Sequence, residues 1–383
     1  MRILQLITGL GQGGAEQIVL DLAGRLDRQR YQMSVCSILD VSGEQGVYVG
    51  RLKDAGADVL SLNVTGKLQL RRALALENLL RGLRPDILHC HMFHANVLGR
   101  RIGHRVGISN IIATVHIAER RWRPWRFWME RRTDPLGTIT VCVSESVLEF
   151  QSKKTRIPRD RFIVIPNGID TGRFAEASRP PDEVREEIGI QPGAKVIGSV
   201  GRLDKQKGYR HLIRAFAAIA RNAGGVELVI AGDGPELGML RWMAEGAKCD
   251  DRVHLIGRRD DVPDLLHAFD VFAMPSMYEG LPLALIEAMA AGVPVVASAV
   301  DSIPEVLGAG EPGGRVGRLV PPGEPAKLAD AIRDALENPS SERVERARAR
   351  ARERYDVAAM VAKYAELYDS IGRQTVDSQP PSA

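Results

Sequence analysis

Short apolar runs rich in Val and Ile alternate along this chain with longer segments whose apolar residues recur every three or four positions. The runs at 2–7, 33–39, 86–90, 110–115, 138–143 and 161–165 predict strands. Between the first two, residues 15–26 place Ile18, Val19, Leu22 and Leu26 on one helical face. The alternation restarts with a strand at 195–200, a helix over 209–221, and strands at 226–231, 253–256, 271–274 and 293–297. Strands separated by helices imply parallel sheets covered on both faces, hence an α/β fold of doubly wound sheets. A length of 383 residues gives room for two such domains. Turn chemistry at Pro166-Asn167-Gly168-Ile169-Asp170 and the stiff Ser178-Arg179-Pro180-Pro181 set the boundary. The expected organisation is a domain over 1–170, a linker over 171–192 and a domain over 193–354, then further helix and a disordered polar tail over 373–383.

Composition removes several classes. No apolar run approaches the roughly 20 residues of a membrane span, and MRILQLITGLGQGGAEQ lacks a signal-peptide layout. Cys36, Cys90, Cys142 and Cys249 are scattered in neither a disulfide nor a zinc pattern, which points to a reducing cytoplasm. The net charge of +4 hides an asymmetry: residues 1–175 hold 26 Lys and Arg against 16 Asp and Glu, the remainder 26 against 32. The first half therefore suits something anionic.

The unusual residues cluster just after strands, where open parallel sheets bind ligands. Gly9-Leu10-Gly11-Gln12-Gly13-Gly14 fits G-x-G-x-x-G before a helix, which suits close approach of a diphosphate. With Asp40 as a ribose-binding acid it is also compatible with a nicotinamide dinucleotide, although Glu16 in the first helical turn could cap that helix instead. In His89-Cys90-His91-Met92-Phe93-His94, His89 and His91 share a strand face as metal ligands do. No acid accompanies them, and polar residues at a strand end, one capping the next helix, account for the run equally. His116 ends the strand before it and is placed to meet a substrate hydroxyl or to be a satisfied structural histidine. In Gly201-Arg202-Leu203-Asp204-Lys205-Gln206-Lys207-Gly208, Arg202 and Lys207 flank a loop able to hold a pyrophosphate, or a solvated charged loop. Pro282 and Gly292 bracket a helix preceded by Glu279. The N–H groups of Gly280, Leu281 and Leu283 point outward at its head, and Glu287 interrupts its apolar face. Two carboxylates at that spacing suit two sets of sugar hydroxyls; an exposed acid plus a capping acid is the alternative.

Gly13-Gly14-Ala15-Glu16, His116, Asn167-Gly168-Ile169-Asp170, Gly201-Arg202 with Lys207-Gly208, Gly232-Asp233-Gly234-Pro235-Glu236 and Glu279 seven residues ahead of Glu287 occur in this order in glycosyltransferase family 4, which the chain resembles over about residues 1–370. The resemblance implies a GT-B fold: two Rossmann-like domains facing across a cleft, with a C-terminal helix at 355–372 crossing back to the first. It implies a retaining, metal-independent enzyme with no cofactor beyond its nucleotide-diphosphate sugar, uridine being the favoured base. Carried over, Gly14 meets the donor diphosphate and Arg202 and Lys207 neutralise it as leaving group. Glu279 binds donor-sugar hydroxyls, Glu287 the ribose, and His116 the sugar near the reacting carbon. Gly280 and Leu281 lie at the donor, and Arg258 falls in the base-contacting loop. Acceptors of such enzymes are glycans or polyprenyl-linked sugars in bacterial cell-surface polysaccharide or glycolipid assembly. A sugar-nucleotide epimerase of similar fold, a nicotinamide-dependent oxidoreductase and a non-enzymatic nucleotide-sugar-binding scaffold are the alternatives.

Residues 119–132 hold Trp122, Trp125, Trp128, Phe127 and six arginines, including Arg123 and Arg126. Tryptophan every third residue with Arg between makes a helical aromatic face of the kind that lies in a membrane interface. A core helix, or one packed on the C-terminal helix, is equally compatible. The first option gives a cytoplasmic protein held peripherally at the inner face of an anionic plasma membrane. The excess positive charge is thereby assigned to an acceptor side and not to nucleic acid.

Overall fold

The computed structural model describes residues 1–11, 13–42, 46–63, 69–118, 123–221 and 224–377. The expectations for Gln12, Trp122 and the tail beyond Asp377 lie outside them. The chain forms two compact units: Met1–Gly168 together with the segment from Val357 onward, and Ile169–Asp356.

The first unit is built on seven strands, β1 (Arg2–Ile7), β2 (Gln32–Ser37), β3 (Asp58–Ser61), β4 (Ile87–His91), β5 (Ile111–Val115), β6 (Ile139–Cys142) and β7 (Phe162–Val164). All pairs are parallel, in the order β3-β2-β1-β4-β5-β6-β7. The strand order reverses between β1 and β4, so the connections leaving their carboxyl ends diverge and a crevice opens there. Ile3, Leu4, Leu6 and Ile7 are all buried because helices cover both faces, which is why β1 reads as an almost unbroken apolar run. On one face Ile18 and Leu22 of the helix Gly14–Arg25 pack with Met360, Tyr364 and Tyr368 of the final helix, Val357–Asp377. Tyr364 and Tyr368 are fully buried, and side chains of this kind contribute on the order of 1.5–3 kcal/mol each by burial. That helix runs past the expected tail boundary at 373, since no Pro or Gly interrupts Arg373–Asp377.

The second unit carries β8 (Lys195–Val200), β9 (Val226–Ala231), β10 (Val253–Leu255), β11 (Val271–Met274), β12 (Val295–Ser298) and β13 (Arg318–Val320), again all parallel, in the order β10-β9-β8-β11-β12-β13. Its reversal lies between β8 and β11. Two strands have no counterpart in the apolar pattern. β3 and β13 have four and three residues, lie at sheet edges and stay partly exposed, so neither needs an apolar run.

Residues 171–192, expected as a linker, contain the helices Thr171–Ala175 and Pro181–Glu187 and belong to the second unit. The buried Asp264 carboxylate holds them, accepting from the Ser178 N–H at 2.6 Å and its hydroxyl at 2.8 Å, and Val184 is buried. Among the described residues no helix is long and apolar enough to cross a membrane.

Candidate functional site

In the second unit three loops that follow strands are locked into one another. After β8, Leu203 donates to Asp233 O at 2.9 Å and accepts from the Glu236 N–H at 2.9 Å, tying the loop to the one after β9. It is also tied to the segment after β11: Met277 N–H donates to Gln206 O at 2.7 Å, and Gln206 Nε2 donates to Tyr278 O at 3.1 Å. Gly208, with φ of 67°, heads the helix Tyr209–Ala220, and a Cβ there would strike the Pro275 carbonyl. Only glycine permits both that backbone and that approach.

The locked loops bring Lys207 and Glu279 together. Lys207 Nζ lies 2.8 Å from Glu279 Oε1, which also accepts from Ser276 Oγ at 2.7 Å. Asp301 accepts from the Glu279 N–H at 2.8 Å, so the carboxylate is fixed at both backbone and side chain. The helix Leu283–Ala291 follows, closed by Gly292 at φ 76°. Gly280 and Leu281 stand at its head. The N–H of Leu283 was expected to point outward; it donates to Leu281 O at 3.0 Å, because the chain tightens into a turn before the helix begins. Glu287, one helical face further on, has no hydrogen bond or ion pair among the described residues. Burial pushes its carboxyl up to about 7, against the pull of Arg173 and Lys207. Arg202 lies in the loop after β8 with an exposed side chain 3.8 Å from Asp204. Arg258, after β10, is exposed and 3.6 Å from Asp260.

Gly14 and His116 lie in the first unit. Gly14 opens its helix after an extended Gly13, which has no side chain to cap it. Glu16 is buried, folds back on Gly13, where a Cβ would lie 2.6 Å from Glu16 Oε2, and accepts from its own backbone N–H in the first turn, as a capping acid does. His91 Nδ1 and His116 Nε2 are 3.1 Å apart, and His91 Nε2 is 2.6 Å from Gln5 Oε1. His89 lies between Tyr368 Oη and Thr114 Oγ1, 2.7 Å from each. His91 occupies the N-cap position of the helix Met92–Arg105 but does not cap it, because its ring turns inward to Gln5 and His116. Burial holds His116 at about 4 and His89 at about 3, and His91 well below the ordinary imidazole value, so all three are neutral. No group of three or more potential metal ligands forms among the described residues.

The aromatic segment forms the helix Pro124–Thr133, with Arg123 at its N-cap. Trp125 and Trp128 are 49% and 59% exposed, which excludes a core helix. Trp125 meets Phe93 edge-on at 5.7 Å, with the Arg126 guanidinium over both rings. Ser276, Asp301, Gln5 and Tyr368 were missed from sequence. Of these only Gln5, a polar residue inside an apolar strand, carries a local signal.

Two doubly wound parallel sheets, the second bearing a cation–carboxylate pair at the head of a helix, define a glycosyltransferase of GT-B type. Residues 12–173 match the family model described as Glycosyltransferase Family 4, residues 181–354 the one described as Glycosyl transferases group 1, and the chain belongs to this family. It is 29% identical over 251 residues to the UDP-Gal:alpha-D-GlcNAc-diphosphoundecaprenol alpha-1,3-galactosyltransferase of Escherichia coli, covering 63% of this chain and 65% of that one. It is 27% identical over 300 residues to the N-acetyl-alpha-D-glucosaminyl L-malate synthase of Bacillus anthracis, covering 75% of each. The crystal structure of HepE from Anabaena in complex with UDP and glucose superposes with a TM-score of 0.84 at 23% identity, covering 97% of this chain and 100% of that one.

Proposed function

We propose that this glycosyltransferase moves a sugar from a nucleoside-diphosphate-sugar donor, with retention and without a metal, to a lipid-linked or glycan acceptor. The observation that carries this is the Lys207–Glu279–Ser276 cluster at the head of the helix Leu283–Ala291, with Glu287 further along it unpaired among the described residues. Lys207 and the exposed charge of Arg202 suit a departing diphosphate, Glu279 the sugar hydroxyls and Glu287 the ribose. Arg258 suits the base, and in the first unit Gly14 suits a diphosphate and His116 a sugar hydroxyl. The names of the E. coli and Anabaena relatives, with UDP-galactose and UDP in them, support uridine as the base. The acceptor hydroxyl oxygen bonds to the anomeric carbon on the face from which the phosphate oxygen leaves. That oxygen takes the hydroxyl proton, giving glycoside and nucleoside diphosphate. Two cationic side chains do the work a divalent ion does elsewhere. UDP-sugars offered with a lipid-diphosphate-linked sugar should yield UDP and, by proton NMR, an α-glycoside from an α-donor, at an unchanged rate in EDTA. A β-product would sink retention; an epimerised donor with no UDP would make the protein an epimerase.

The raised carboxyl of Glu287 gives a pH signature. A folded-state value of about 7 means the apo protein favours the protonated acid. Its contribution to apo stability is present below the unfolded value and is lost as pH rises through about 7. Ribose hydroxyls donate to the ionised form, so donor nucleotide affinity should rise about 10-fold from pH 6 to pH 8. Titration calorimetry reads this directly, and Glu287→Gln should flatten the slope; a flat wild-type profile removes Glu287 from the donor site.

Exposed Trp125 and Trp128 beside Arg123 and Arg126 support peripheral docking on an anionic membrane. The protein should sediment with phosphatidylglycerol vesicles at low salt, and Trp125→Ala/Trp128→Ala should lower the bound fraction at least about 5-fold. Wild type left in the supernatant would end the idea.

A further inference from the structure

Three imidazoles, an amide and a phenol are buried together at the carboxyl end of the first sheet, though the proposed chemistry uses only His116. The proton positions can be followed through them. Gln5 Nε2 donates to Tyr368 Oη at 3.0 Å, so its Oε1 faces His91 Nε2 at 2.6 Å. An amide oxygen only accepts, hence His91 Nε2 carries the proton. Neutral His91 then has a bare Nδ1, and the nitrogen 3.1 Å away, His116 Nε2, must be the donor. His116 is therefore left with a bare Nδ1, a buried atom with no partner among the described residues. Turning the Gln5 amide over would reverse every assignment and make His116 Nδ1 a donor. The rest of the chain runs in the same direction: Tyr368 Oη accepts from Gln5 and turns its own proton to His89 Nδ1 at 2.7 Å, and His89 Nε2 in turn donates to Thr114 Oγ1 at 2.7 Å. Neutrality of all three rings leaves no extra proton to break the alternation.

We propose that Gln5 and His91 are positioning residues for glycosyl transfer, holding His116 as the tautomer protonated on Nε2 so that its bare Nδ1 accepts from a hydroxyl. The assignment rests on the reading that His116 meets the donor sugar. A hydroxyl is the group that satisfies an orphaned acceptor, whereas a carboxylate or carbonyl oxygen there would be repelled.

The test uses the full chain labelled with 15N-histidine and long-range proton–nitrogen correlation, together with transfer kinetics. In wild type both His91 and His116 should show protonated Nε2 and bare Nδ1. Gln5→Met, and Tyr368→Phe, which keeps the buried ring, should mix the His116 tautomers and lower kcat about 10-fold with donor KM within about two-fold. A wild-type His116 carrying its proton on Nδ1, or a Gln5→Met protein with tautomer and kcat both unchanged, overturns the relay. A merely structural role would lower the melting temperature and leave the tautomer alone. If His116→Ala transfers at the wild-type rate, the sugar-contact reading fails and the positioning role with it. If His116→Ala is inactive while Gln5→Met behaves as wild type, only the relay fails.

Discussion

Lys207→Met should lower the transfer rate by about 10²–10³-fold, the cost of removing one preorganised charge from a developing anion. Its side chain is only 20% exposed and its ammonium sits 2.8 Å from Glu279 Oε1, so neither water nor the exposed Arg202 can replace it. The substitution also leaves a buried carboxylate with Ser276 as its side-chain donor, which lowers stability for a reason unrelated to catalysis. The double variant Lys207→Met/Glu279→Gln isolates the stability effect: the melting temperature should recover, while the rate stays low with both the cation and the Glu279 carboxylate gone. Lys207→Arg keeps the charge but replaces a point with a planar fork and should retain an intermediate rate. Steady-state UDP release is the measurement, and a Lys207→Met protein with more than a third of wild-type kcat would show that the diphosphate is neutralised elsewhere.

The second large effect concerns stability. Arg100 and Glu130 are each 1% exposed and meet at 2.6 Å, joining the helix Met92–Arg105 to the helix that bears Trp125 and Trp128. Arg100 Nη2 also donates to Thr140 Oγ1 at 2.6 Å, and Arg161 holds Asp134 alongside at 3.0 Å. Arg100→Leu strands two acids in the core with one cation between them and should destabilise the first unit by about 3–5 kcal/mol. Adding Glu130→Leu should restore more than half of that loss, since a buried pair replaced by apolar groups of similar volume is often neutral. Urea unfolding supplies the numbers, and hydrogen exchange should show the aromatic helix opening first. A loss below about 1 kcal/mol would mean that water reaches the pair.

Strands buried on both faces were the most legible part of the sequence. β1, β8, β9 and β11 lie where the apolar runs place them, because a parallel strand between two helical layers has no polar face. β3 and β13 escaped because three or four half-exposed edge residues need no such run. Within the site, Lys207 and Glu279 stood out separately as residues of loops after strands, yet nothing in a separation of 72 positions says that they pair. Asp301 and Ser276 were invisible because an ordinary acid and a serine acquire meaning only when the fold sets them on Glu279. The same holds for Tyr368, 363 residues from Gln5. The aromatic helix was partly legible: a proline at its start places Trp125 and Trp128 on it and leaves Arg123 as the cap.

The final helix gives the chain an unusual order of assembly on the ribosome. Residues 1–168 are made first, but Tyr364 and Tyr368, which complete their core and close the chain of hydrogen bonds from Gln5, come only after all of Ile169–Asp356. At about 5–20 residues per second that wait is on the order of 10–40 s, during which the first sheet exposes apolar surface that a holdase would cover. A message cut short before Tyr364 would therefore cripple the half of the protein it had already finished encoding. Only a product that extends past Tyr368 completes the first unit's histidine cluster.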